Sequence, residues 1–215
     1  MLPRLFQSLS DAQPVRLLAY GASISEVGRT PNWFGGASRA ELNWGQQLAS
    51  SLREAFPRRD IEMLHFGIGG QNTYELLGRF DWMPNDIDVV MIQVGTNDCG
   101  FHEIPPQATA TALASLIDAI RFFHKADVIL MGSAGDNPRN PVLQHVVETQ
   151  QAMRQVAHDK GVDVVMLREA VLSATDNGAT WAQYHDGETG VHPNDRGMTV
   201  WAAAAFAALQ QQIPL

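Results

Sequence analysis

Five short apolar runs, at 15–20, 61–66, 87–94, 128–131 and 162–167, punctuate the chain, and each has the length of a buried strand. Longer segments of helical period separate them. In 39–56, Leu42, Leu48, Leu52 and Phe56 recur near multiples of a helical turn until Pro57 stops the segment. Pro105-Pro106 opens a second helix running to about His124, with Leu113, Leu116, Ile117 and Ile120 on one face. A third covers 142–160 and is closed by Gly161, and a terminal helix begins near Asn194, with Asn194 or Asp195 as its cap. A shorter helix follows 67–70. Strands alternating with helices predict a parallel sheet covered on both faces, joined by right-handed crossovers. With no internal repeat and no linker, the 215 residues are expected to form one domain, 1–215.

The polar positions concentrate where the strands end. The first run gives way to Gly21-Ala22-Ser23-Ile24-Ser25, the second to Gly67-Ile68-Gly69-Gly70, and the third to Gly95-Thr96-Asn97-Asp98. Open α/β sheets keep their ligands at the carboxyl ends of their strands, so residues at these breaks are candidates for chemistry. Residues 26–36 form a glycine-rich loop carrying Trp33 and Phe34, and 174–192 form a long Asp-, Asn-, Gly- and Thr-rich loop that ends at His192, just before the last helix. The glycines at 67, 69 and 70 are not a dinucleotide fingerprint, because the third glycine of G-x-G-x-x-G falls on Asn72.

Composition narrows the partners. Fifteen Lys and Arg face 23 Asp and Glu, for a net charge of −8 and no basic run, which argues against nucleic acid and anionic membrane surfaces. The single Cys99 excludes an intrachain disulfide and any multi-cysteine zinc site, and no two histidines have helical metal spacing, so neither a metal nor another cofactor is expected. The longest alanine-rich apolar run, 200–209, is about half of the ~20 residues a membrane-spanning helix needs. Without a signal-peptide pattern at the start, the expected location is cytoplasmic.

The four blocks Gly21-Ala22-Ser23-Ile24, Gly67-Ile68-Gly69-Gly70, Gly95-Thr96-Asn97-Asp98 and Val191-His192-Pro193-Asn194 resemble, in order and spacing, those of the SGNH (GDSL-type) hydrolase superfamily. The resemblance implies a three-layer α/β/α, flavodoxin-like fold with a five-stranded parallel sheet, and an ester hydrolase activity. It makes Ser23 the nucleophile, and the Ser23 amide, the Gly70 amide and the Asn97 side chain the oxyanion donors. His192 is the base. A serine hydroxyl needs a neighbouring imidazole to take its proton, and acyl chemistry needs donors fixed where the oxygen's charge develops.

The chain departs from the family pattern twice. Ala22 stands where the family has Asp after the first glycine, and Thr189 stands where it has Asp three residues before the histidine. Asp186 and Glu188, six and four residues before His192, are the acids available to the imidazole; Asp186 is preferred, and a Ser–His dyad is the third option. The expected substrate is a small-molecule ester, an O-acetyl ester of a carbohydrate or other small alcohol. Trp33, Phe34, Trp82, Trp181 and Tyr184 lie in or near loops at the same face, where they either stack on a sugar or serve ordinary packing. Acyl transfer at the same site, and a degenerate binding protein on the scaffold, are the alternatives.

Overall fold

A computed structural model of the protein describes residues 2–11, 13–27, 40–132, 135–186 and 190–211. Five strands, β1 (Val15–Gly21), β2 (Ile61–Gly67), β3 (Val89–Val94), β4 (Asp127–Gly132) and β5 (Asp163–Met166), form one sheet in the order β2-β1-β3-β4-β5. Every pairing is parallel. The helices are α1 (Pro3–Ser10), α2 (Trp44–Ala55), α3 (Thr73–Gly78), α4 (Thr96–Cys99), α5 (Pro106–Ala119), α6 (Val146–Lys160), α7 (Leu167–Ala174) and α8 (Asp195–Gln210).

The two-residue period of the strands sorts their side chains into two cores. Leu17 and Ala19 of β1, Val89 and Met91 of β3, and Ile129 and Met131 of β4 pack with Leu48 and Leu52 of α2, Val171 of α7 and Trp201 of α8. The intervening residues Leu18 and Tyr20, Val90 and Ile92, and Val128 and Leu130 pack on the opposite face with Leu76 of α3, Leu113 and Leu116 of α5, and Met153 of α6. The result is a three-layer α/β/α fold of the flavodoxin-like strand order. Its switch point lies between β1 and β3, where the chain leaves the sheet in opposite directions and a crevice opens.

Several boundaries move from those the sequence predicts. The helix expected over 39–56 begins at Trp44, because Asn43 forms a capping box with Gln46. The helix expected from 142 begins at Val146, since buried Asp136 accepts the backbone N–H groups of Val142 and Leu143, at 2.6 Å for Leu143, and holds both outside the helix. Beyond Ala119 the helix widens into a π-turn over Ile120–His124. The strand expected to reach Leu167 stops at Met166, and Leu167 opens α7 inside the segment the sequence pattern leaves unassigned. Helix α1 was likewise not apparent from the pattern; Asp127 Oδ2 accepts its Arg4 and Leu5 amides at 2.9 and 3.0 Å, closing its first turn on the sheet. Asn194, as expected, caps α8.

Candidate active site

Strand β1 runs straight into a single 3-10 turn, Ser23–Ser25, so the Ser23 side chain stands at the carboxyl edge of the sheet beside the switch point. Three hydrogen bonds hold the turn from below: Trp44 Nε1 donates to Ser25 Oγ at 3.2 Å, Ser25 Oγ donates to Gln93 Oε1 at 3.2 Å, and Asn43 Nδ2 donates to the Ser25 carbonyl at 3.3 Å. Gly67 lets the end of β2 pass directly behind it. A Cβ there would lie 2.4 Å from the Glu26 nitrogen and 2.7 Å from the Ala22 oxygen, both backbone atoms. Ala22, at the position of the family's usual Asp, is buried, and its carbonyl accepts the Ser25 amide at 3.0 Å.

Ser23 Oγ lies 3.1 Å from His192 Nε2. On the other side of the ring, Nδ1 lies 3.2 Å from Asp186 Oδ2, and that carboxylate is only 5% exposed. Asp186 is held twice more: its amide donates to the His192 carbonyl at 2.8 Å, and its Oδ1 accepts the Gly190 amide at 2.7 Å. His185 and Pro193 form an antiparallel bridge alongside. Residues 185–186 and 190–193 thus lie side by side, which places Asp186 against the histidine six residues later. Glu188 and Thr189 lie outside the described residues, as do Trp33 and Phe34.

Asn97 sits on α4, directly after β3, with its Nδ2 donating to the Gln71 carbonyl at 2.8 Å. An amide nitrogen carries two hydrogens, which leaves one for the cavity that Asn97 lines. The following Asp98 is fully buried and faces the other way: its Oδ1 accepts the Thr73 amide at 3.1 Å and the Thr109 hydroxyl at 3.3 Å. Burial raises its pKa against those two hydrogen bonds, and the geometry makes it a fastener between α3, α4 and α5. Gly70 has φ +80°, a left-handed conformation that glycine adopts without strain, three residues beyond the end of β2. It directly precedes Gln71, whose carbonyl accepts the Asn97 amide.

That cavity, about 360 Å³, is lined by Ser23, Asn97 and His192 together with the apolar side chains of Ile24, Phe101, Val142, Leu143 and Val191. The apolar walls were missed by the sequence pattern, which assigns Val142 and Leu143 to a helix. Of the aromatic residues proposed for stacking, the three that are described, Trp82, Trp181 and Tyr184, do not meet there. Trp181 is buried and stacks on His185, with centroids 4.0 Å apart, and its Nε1 donates to the Gly190 carbonyl at 2.6 Å; Trp82 lies in the connection entering β3, at the other end of the sheet. Neither these two nor Tyr184 lines the cavity. Among the described residues no group of three or more His, Cys, Asp or Glu is placed to hold a metal ion, and no helix is long and apolar enough to cross a membrane.

The sequence model of the GDSL-like lipase/acylhydrolase family matches residues 19–200. The fold is similar to that of Axe2, an acetylxylan esterase from Geobacillus stearothermophilus, at 19% identity and a TM-score of 0.70, over 91% of this chain and 94% of that one. It is also similar to LAE5, an alpha/beta hydrolase enzyme from the metagenome of Lake Arreo, Spain (21%, TM-score 0.72, 94% and 99%), and to a member of the lipolytic protein G-D-S-L family from Veillonella parvula (16%, TM-score 0.70, 92% and 99%). No curated protein matches the sequence significantly.

Proposed function

The chain belongs to the GDSL-like lipase/acylhydrolase family, and from that premise we propose that it hydrolyses a small carboxylic ester through an acyl-Ser23 intermediate. The observation that carries the reading is the line of contacts Ser23 Oγ, His192 Nε2, His192 Nδ1 and Asp186 Oδ2, at 3.1 and 3.2 Å. Within it Ser23 Oγ attacks the ester carbonyl carbon as its proton passes to His192 Nε2. Asp186 keeps the other proton on Nδ1 and stabilises the imidazolium that forms. The carbonyl oxygen becomes an oxyanion received by the Asn97 side chain and by the Gly70 and Ser23 amides, donors whose strength grows as charge develops. Collapse of the tetrahedral intermediate expels the alcohol with the proton from His192. Water, deprotonated by the same imidazole, then releases the acid and restores Ser23.

For the acyl group we propose acetyl, on a carbohydrate or other small alcohol. Support comes from the compact seat around Ser23 and from the similarity to an acetylxylan esterase. The apolar walls Ile24, Phe101 and Leu143 fit the methyl end of the acyl group and the less polar face of the alcohol. The test is a panel of 4-nitrophenyl acetate, butanoate and hexanoate, run on wild type and Ser23→Ala. Cleavage by wild type and loss of more than about 10³-fold in Ser23→Ala is the expected result. Equal rates in the two proteins reject the serine mechanism, and acetate turning over more than about tenfold slower than hexanoate rejects acetyl.

A further inference from the structure

Arg79, at the C-terminal cap of α3, is an arginine only 3% exposed, set in the apolar stretch Leu76-Leu77-Gly78-Arg79-Phe80. Its guanidinium lies between two rings, 4.5 Å from the Tyr20 centroid and 4.6 Å from that of Phe66. Nη2 donates to the carbonyls of Gly21, at 3.0 Å, and Phe66, at 3.1 Å, the residues that end β1 and precede the end of β2. Nε donates to Gln71 Oε1 at 2.6 Å. No salt bridge joins it to a carboxylate among the described residues, and Nη1 has no hydrogen-bond partner there. A buried charge held by carbonyl oxygens and ring faces is costly to desolvate, so its placement needs a reason beyond packing.

The partners supply one. The Gly21 carbonyl that accepts Arg79 also accepts the Ile68 amide at 3.1 Å, so the start of the 68–72 loop and Arg79 share an anchor. The Gln71 residue that Arg79 grips by its side chain accepts Asn97 Nδ2 on its backbone carbonyl. Gly70, with its left-handed backbone, lies between those two fixed points. We propose that Arg79 is a positioning residue for the oxyanion site: through Gln71 it sets the orientation of the Asn97 carboxamide and the Gly70 amide while touching neither substrate nor nucleophile. Only arginine's fork reaches three acceptors on three segments at once; lysine keeps the charge but offers a single nitrogen. This inference rests on the acyl-serine reading.

The experiment combines Arg79→Lys and Gln71→Met, each alone and each combined with Asn97→Ala, with kcat and KM for 4-nitrophenyl acetate and Ser23→Ala alongside. Both single variants are expected to lower kcat about tenfold or more with KM within about twofold, because donors misaligned by a fraction of an ångström lose stabilisation in the transition state before they lose substrate. On the Asn97→Ala background the same changes are expected to cost less than about threefold, since the group they position is gone. A residue that merely holds the fold together would act equally on both backgrounds. Thermal denaturation verifies that each variant is folded, and should Arg79→Lys not fold, Gln71→Met and its cycle decide alone. Single variants with kcat within twofold of wild type, or losses that multiply in full on Asn97→Ala, overturn the proposal. If Ser23→Ala is as active as wild type, the failure lies in the acyl-serine reading instead.

Discussion

Asp186 and His192 grip each other at two levels: the Asp186 amide donates to the His192 carbonyl at 2.8 Å, while its carboxylate Oδ2 lies 3.2 Å from the imidazole Nδ1. The backbone contact fixes the distance between the two residues and the side-chain contact fixes the ring. Asp186→Asn is therefore expected to favour the wrong imidazole tautomer and to lower kcat by about 10²–10⁴-fold with little change in KM. Steady-state kinetics on 4-nitrophenyl acetate measures this, with Glu188→Gln, expected within about threefold of wild type, as the comparison. An Asp186→Asn enzyme keeping more than a tenth of the wild-type rate would mean that another group orients His192.

Asn97 carries the second prediction. One of its amide hydrogens is committed to the Gln71 carbonyl, so the carboxamide plane is fixed before any ester arrives. Asn97→Ala removes a preorganised donor and should reduce kcat by about 10²–10³-fold, or ~2.7–4 kcal/mol of transition-state stabilisation, at nearly constant KM. A rise in KM at unchanged kcat would assign Asn97 to ground-state binding.

Much of this was legible in the sequence because both periods are clean. The strand runs and the helix between Pro106 and Ala119 are patterned by burial alone, and the glycine-bearing breaks after β1, β2 and β3 mark where the sheet releases the chain. Ser23, Asn97 and His192 could be named because each block is local in sequence. What escaped was set by contacts distant in sequence. Asp136 keeps Val142 and Leu143 out of α6 and in the cavity wall, and Gln71 and Arg79 matter through partners on three different segments. From its loop setting Trp181 read equally as a sugar platform or as ordinary packing, and its stacking with His185 makes it packing.

Gly67 gives a test of the close approach behind the nucleophile. The atoms a methyl group would strike, the Glu26 nitrogen at 2.4 Å and the Ser25 carbonyl carbon at 2.5 Å, are backbone, so no rotamer change can relieve the contact. Gly67→Ala is expected to destabilise the fold by about 1–3 kcal/mol, read from urea unfolding. Because the shifted atoms belong to the turn that carries Ser23, kcat should fall as well, on the order of 10²-fold for a displacement near 1 Å. Wild-type stability and rate in this variant would show that the turn and β2 can separate without cost.

His185 makes the pH dependence of stability predictable. It is 2% exposed, stacked on Trp181, and burial pushes its pKa from 6.5 down to about 4. In the unfolded chain it binds a proton near pH 6.5, in the folded protein only near pH 4, so between those values the unfolded state holds more protons and stability falls as the pH falls. Its contribution is complete above about pH 6.5 and is lost toward pH 4, with a full span of roughly 3 kcal/mol. His185→Gln does not titrate, so its unfolding free energy should decline less steeply than that of wild type between pH 7 and 4, with the two curves converging toward the acid end. Urea unfolding at half-unit pH intervals measures both slopes. Parallel curves would place the acid sensitivity on other groups.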